Sequence, residues 1–318
     1  MSIVIPVFNA ERYLMKCLDS IFEGYQNDVI EQIEVIAVND GSTDNSRQYL
    51  EEYKHQHSFV LINQSNKGCA GAINTGLRQA TGKYVWLVAD DDYVIDGALD
   101  KILTELTYNP TTDLLQFPVL VDRNGKLKRE KACGCPLTNT NGQDAFVEMV
   151  YKKQYSAYQF QRIVLREMIL QHNIFEKEGL IWDDTEWSPR VFAFAQRVRY
   201  FPEPLYTYIR RENSVSHTER LSRKHYTDQL VVISSLNKFM DENNIPDDFR
   251  HALYSTLIGP LLNALTGVVR EDGSIDEELL AEVRKYEYIM DYGNFKRKYI
   301  YRPFIKIFGL KAFCKVRK

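Results

Sequence analysis

The chain lacks most of the features that announce a specialised class of protein. Its 318 residues include five cysteines, at 17, 69, 133, 135 and 314, which form neither a disulfide framework nor a paired CxxC zinc pattern and fit a reducing compartment. Neither charge is in excess: 40 Lys and Arg against 43 Asp and Glu leave a net charge of −3, so no global field draws the chain to nucleic acid. The opening MSIVIPVFNAE has no basic leader followed by an apolar stretch and a small-residue cleavage site, so it does not read as a signal peptide. The longest apolar segment, 257–269, is interrupted by Gly259, Pro260 and Asn263 and falls short of the roughly 18 residues a bilayer span needs. No GxGxxG occurs, which argues against a dinucleotide site. The segment 76–84 only imitates a phosphate loop: five residues separate its glycines instead of four, and Tyr84 replaces the metal-binding Ser or Thr. These absences leave a cytoplasmic globular protein.

What is present is an alternation of strand and helix signals. SIVIPVF (2–8) is a short β-branched run, and a helical pattern over 10–24 puts Tyr13, Leu14, Cys17, Leu18 and Ile21 on one face. IEVIAV (33–38) predicts a second strand, followed by a helix to about 54 capped by Ser42 or Thr43 with Asp44. FVLIN (59–63), a small-residue helix over 68–80 and YVWLVA (84–89) continue the alternation. Uniformly apolar strands between helices imply a parallel sheet covered on both faces. LLQFPVLV (114–121) and the hairpin signal Asn124-Gly125 predict that the sheet becomes mixed there. Beyond about 220 the pattern is helical, over 224–243, 247–269 and 275–288. The expected organisation is an α/β domain over 1–220 and a helical domain over 221–318.

In open α/β sheets, ligands bind outside the carboxyl ends of the strands. Here those ends carry Pro6, Val7, Phe8, Asn9 and Glu11; Asp40; Asn66, Lys67 and Gly68; and Asp90, Asp91 and Asp92. The set is polar, acidic and glycine-containing, which suits a nucleotide held with a hard divalent cation such as Mn²⁺ or Mg²⁺. Three consecutive aspartates call for such a cation, because two carboxylates about 4 Å apart repel by roughly 4 kcal/mol at an effective dielectric near 20.

Four blocks in order, SIVIPVFNAERYLMKCLDSI, VIAVNDGSTDNS, NKGCAGAINTGLRQATGKYVWLVADDDYV and GLIWDDTEWSPRVFAFAQRVRYFPEPLYTYIRRENSVS, resemble the family 2 glycosyltransferases with the GT-A fold over about residues 1–217. The resemblance implies a nucleoside-diphosphate sugar donor, UDP foremost, a divalent metal and inversion at the anomeric carbon. It places Asp40 on the ring N–H of the base, the backbone of Pro6, Val7, Phe8 and Asn9 along base and ribose, Asp91 on the ribose and Asp92 on the metal. Asp184, with Asp183 as the other choice, falls where the family has its general base, and Arg210, Arg211 and Ser214 fall in a loop that steadies the diphosphate. The chain departs from the pattern at Ala89, where relatives carry the first aspartate, and at Ile73, where an arginine often stands.

The tail, 294–318, holds nine Lys or Arg and no acid, interleaved with aromatic and aliphatic residues. That composition predicts an interfacial helix resting on the inner face of the plasma membrane, or else a packed helix with a solvated basic face. The acceptor implied is a glycan or a lipid-linked saccharide in bacterial surface polysaccharide synthesis, with a homo-oligomer as a further partner. Two alternatives share the nucleotide crevice: a nucleotidyltransferase, and a catalytically inactive protein that binds nucleotide sugar or acts as a scaffold.

Overall fold

The computed structural model describes residues 1–130, 140–210, 222–270, 272–292 and 309. The chain divides into two compact units, one of 1–145 and 153–214, the other of 146–152 and 215–318. Cys133, Cys135, Arg211, Ser214, Cys314 and, save for Gly309, the tail 294–318 lie outside the described residues.

The first unit runs β1 (Ser2–Val7), α1 (Leu14–Phe22), α2 (Asn27–Ile30), β2 (Glu34–Asn39), α3 (Ser46–Lys54), β3 (Val60–Asn63), α4 (Cys69–Gln79), β4 (Tyr84–Leu87), β5 (Tyr93–Val94), α5 (Ala98–Tyr108), β6 (Leu114–Gln116), β7 (Val119–Arg123) and β8 (Lys126–Arg129). After α6 (Gly142–Tyr151), whose first turn belongs to this unit, come β9 (Arg162–Leu165), α7 (Arg166–Gln171), α8 (Asp183–Phe194), β10 (Val198–Tyr200) and β11 (Tyr206–Ile209). Seven strands form one sheet in the order β10-β6-β9-β4-β1-β2-β3, and four form a second in the order β5-β11-β7-β8.

In the large sheet β1 pairs in parallel with β2 and β4, and β2 with β3, while β9 runs antiparallel to both β4 and β6. The mixed GT-A architecture follows, with the carboxyl ends of β1, β2, β3, β4 and β6 at one edge. Its core is the buried residues Ile3, Ile5, Val7, Leu14, Leu18, Trp86 and Phe117, closed by the Trp86 indole N–H donating to Phe160 O at 2.7 Å.

The apolar run 114–121 forms two strands in different sheets. Pro118 cannot donate to a ladder, and the chain turns there from β6 of the large sheet into β7 of the small one. The hairpin signal is realised: Asn124 and Gly125 have φ of 54° and 80° between β7 and β8, the pair of positive values a type I′ turn requires.

In the second unit, α9 (Arg223–Glu242), α10 (Asp247–Gly267) and α11 (Glu277–Arg284) are packed through Ile233, Leu236, Met240, Phe249, Leu253, Leu257 and Leu280. α10 passes through Gly259 and Pro260 without a break. Among the described residues no helix is long and apolar enough to cross a membrane.

Candidate functional site

The loops leaving β1, β2 and β3 are stitched to one another by their own side chains. Asn9, at a left-handed φ of 53°, accepts from Thr43 N–H at 2.8 Å, and Glu11 accepts from Asn45 N–H at 3.2 Å. Val7 is fully buried at the end of β1, its O accepting from Asp40 N–H at 2.8 Å, whereas Pro6 is partly exposed and Phe8 is 47% exposed. Asp40 is 2% exposed, and its Oδ1 accepts from Gln64 Nε2 at 2.7 Å and Lys67 N–H at 2.9 Å. Its Oδ2 has no hydrogen-bond partner among the described residues. The loop behind it is tight. Gly41 has φ +74°, and a Cβ there would meet Asn66 N at 2.9 Å, while Asn66 Oδ1 caps Gly68 N–H at 3.0 Å.

The turn after β4 carries the three aspartates, and the fold assigns them different surroundings. Asp90 Oδ2 accepts from Phe8 N–H at 3.0 Å, tying the β1 and β4 ends together. Asp92 is 2% exposed; its Oδ1 accepts from Ile209 N–H and its Oδ2 from the Tyr206 hydroxyl, each at 2.7 Å. Burial first, then the charge of Asp91, pushes the Asp92 carboxyl well above the usual range. Asp92, expected to hold the metal, thus also latches the turn to β11 through both of its oxygens, while Asp90 and Asp91 are partly exposed.

The oxygen-only chemistry of the turn suits Mn²⁺ or Mg²⁺. Among the described residues no three His, Cys, Asp or Glu gather to hold an ion by themselves; a cation at this turn would need further oxygens, from diphosphate and water, to complete its shell.

The second acidic pair opens α8, where the helix dipole favours negative charge. Asp183 Oδ1 accepts from Asp184 N–H at 2.9 Å, and Asp184 Oδ1 from Thr185 N–H at 2.6 Å, so each keeps Oδ2 without a partner among the described residues. Burial and the charge of Asp184 push Asp183 up to about 7. Asp184 is also raised by burial, against the hydrogen bonds of Thr185 and the nearby Arg162.

Side-chain bonds join the elements that carry these groups: Asp90 ties the β4 turn to the β1 loop, and Asn74 of α4 donates to Glu176 O at 2.9 Å and Glu178 Oε1 at 3.1 Å in the segment entering α8. The Cys69 thiol at the start of α4 is raised well above its usual value by desolvation and then by the charges of Asp183, Glu176, Asp90 and Asp91. Arg210 lines a cleft of about 540 Å³ with Asn9, Glu11, Asp44, Asp122 and Asn124, its N–H donating to Asp122 O at 2.9 Å.

Three contributors escaped the sequence reading. Arg162, 1% exposed at the start of β9, donates to Ala157 O at 3.2 Å and Ser188 Oγ at 3.1 Å and also holds Ser156 O and Tyr158 O. Tyr206 accepts from Ala89 N–H at 3.1 Å while donating to Asp92. Glu176 is buried, and desolvation followed by the charge of Asp183 raises its carboxyl well above the usual range. Nothing local marks an arginine, a strand tyrosine or a loop glutamate as part of such a site.

The glycosyl transferase family 2 model matches residues 2–168. The chain is 26% identical over 261 residues to the putative glycosyltransferase EpsH of Bacillus subtilis (strain 168), covering 81% of this chain and 74% of that protein. The crystal structure of S. aureus TarS 1–349 in complex with UDP-GlcNAc superposes with a TM-score of 0.73 at 16% identity, over 98% of this chain and 89% of that one. The mannosyltransferase PcManGT of Pyrobaculum calidifontis, in complex with GDP-Man and Mn²⁺, superposes at 0.54 and 16% identity, over 99% and 86%. With its GT-A sheet and the family model matched over more than half its length, this chain is a glycosyltransferase and belongs to glycosyl transferase family 2.

Proposed function

We propose that the chain moves a sugar from a nucleoside-diphosphate sugar to a hydroxyl of a glycan or lipid-linked saccharide, with inversion and with Mn²⁺ or Mg²⁺. One observation carries this reading: the β1 loop is bonded to the β4 turn through Asp90, and α4 is bonded to the segment entering α8 through Asn74, so the two acidic groups border the same strand ends. A donor held by the first would thus present its sugar to the second. Asp40 Oδ2 accepts the imide N–H of the base, and the Pro6 to Asn9 backbone, Asn66, Lys67 and Gly68 surround nucleoside and phosphates. Asp91, with Asp90 beside it, would hold the cation, which when bound neutralises charge on the departing diphosphate. Arg210 adds a forked donor set suited to the same oxygens.

Asp184 takes the proton of the acceptor hydroxyl as it attacks opposite the leaving group, and Asp183 is the other choice. UDP-GlcNAc in TarS, and GDP-Man with Mn²⁺ in PcManGT, support the class of donor and cation. The setting in bacterial surface polysaccharide assembly, and a place on the inner membrane face or in an oligomer, rest on the sequence resemblance and on the tail composition. The test is a thermal-shift screen of UDP-, GDP- and dTDP-sugars with Mn²⁺, followed by product analysis with a saccharide acceptor. Release of free nucleoside diphosphate is the expected result. Pyrophosphate as product, or the absence of any shift and any product, overturns the proposal.

A further inference from the structure

Glu176, between α7 and α8, is 4% exposed, and neither of its carboxyl oxygens has a hydrogen-bond partner among the described residues. Burying a carboxyl without partners costs free energy, and the fold makes no use of this one. The backbone around it is nevertheless held firmly. Asn74 of α4 accepts from Glu176 N–H at 2.8 Å, donates to Glu176 O at 2.9 Å and reaches Glu178 Oε1 at 3.1 Å.

Arg190, whose charge acts on Glu176, is committed elsewhere: it donates to Phe175 O and to Glu186 Oε2, each at 2.6 Å, although its Nε has no partner among the described residues. The charges acting on Glu176 are those of Asp183, then Arg190, Glu186 and Asp184. Glu176 in turn acts with Asp183, Asp90 and Asp91 on the Cys69 thiol. Through Asn74 the orphan carboxyl is held between α4, which begins directly after the loop 66–68, and the segment that leads into the α8 acids.

We infer that Glu176 is the receptor for a hydroxyl of the donor sugar, a specificity-determining residue of the transferase site. This rests on the reading of that site as a sugar-nucleotide site. A sugar hydroxyl supplies the hydrogen-bond donor that the protein withholds, and rigid placement by Asn74 makes the carboxyl selective for a hydroxyl at one position of the ring. A donor without that hydroxyl leaves the buried acid unpaired, and sites that hydrogen-bond a substrate group reject analogues lacking it strongly.

The experiment compares wild type with Glu176→Gln and Glu176→Ala by calorimetric titration with Mn²⁺, using UDP-GlcNAc against UDP and GDP-mannose against GDP. Affinity for the sugar-bearing member should fall about 10- to 100-fold in Glu176→Ala, while bare diphosphate binding stays within about two-fold and the melting temperature is unchanged or higher, because a buried orphan has been removed. Unchanged affinity for the sugar nucleotide overturns the inference. So does an equal loss for both members of a pair, or a melting temperature several degrees lower with sugar discrimination retained, which would mean that Glu176 pairs with the Arg190 Nε. A wild type that binds no nucleotide at all overturns the transferase proposal and this inference with it, a result distinguishable from failure of the variants alone.

Discussion

At the scale of single residues, Asp90 and Asp92 of three adjacent aspartates have been given different occupations by partners distant in sequence. Asp92 is bound to Tyr206 and Ile209, 114 and 117 positions away. Removing it strands a buried hydroxyl and a backbone N–H, so Asp92→Ala should lower stability by about 1–3 kcal/mol, by the same amount with and without Mn²⁺. Asp91→Asn should instead leave denaturant unfolding unchanged and weaken Mn²⁺-dependent donor binding by about 10-fold or more. The opposite pattern would return the metal to Asp92.

The α8 pair gives a second prediction. A base must be ionised, and Asp183 beside Asp184 is pushed up to about 7, so transfer rate should rise with pH through about 7 and level off above it. Because such a value belongs to the coupled pair, Asp184→Asn should slow transfer by about 10² or more and move the residual acid limb downward, since Asp183 loses its charged neighbour. Near wild-type rates in Asp184→Asn would remove it as base. The sequence displayed all these acids, yet which of them are sealed or open depends on Tyr206 and Arg162, whose roles arise only from sheet neighbours.

At the scale of elements, patterning predicted more than it missed. The strands at β1, β2, β3 and β4 and the long helices α9 and α10 were legible because buried parallel strands and helical periodicity leave signals within a short window. Two boundaries were not. α3 begins at Ser46 rather than near Ser42 because Thr43 and Asn45 are engaged with Asn9 and Glu11, and Ser46 N–H is capped by Asp44 Oδ1 at 3.0 Å. β6 and β7 separate at Pro118, which a hydrophobic count alone reads as one run.

Helix α4 offers the prediction at this scale, since a Cβ on Gly76 would lie 2.3 Å from Val4 Cγ1 of β1. Gly76→Ala should therefore push α4 off the sheet and destabilise by about 1–3 kcal/mol, seen as a lower midpoint in urea unfolding. Equal midpoints would show that β1 and α4 yield without strain.

For the whole molecule, pH is the informative variable. A carboxyl raised by folding binds its proton more tightly in the native state, so its contribution to stability is full below the unfolded value and is lost as pH rises through the folded one. Asp183, at about 7 against an unfolded 3.8, sets that window between roughly pH 4 and 7, and Glu176 is shifted the same way by burial. Glu34 and Asp44 act oppositely: despite burial, hydrogen bonds from Ser2 and Thr81 to one, and from Ser46 and Glu11 to the other, hold them low, and their contribution is lost only under more acid conditions. Thermal unfolding should be most resistant between about pH 4.5 and 6 and weaken by a few degrees towards pH 8, with Asp183→Asn flattening that decline; a curve that rises through neutrality would contradict the assignment. The turn 89–92 carries one further consequence. It is pinned through Asp90 to Phe8, just beyond β1 of the large sheet, and through Asp92 to Tyr206 and Ile209 of the small sheet. Asp91, between two anchored neighbours, has surrendered its backbone entropy once, during folding, so a cation or donor arriving there would meet a carboxylate that is already in position.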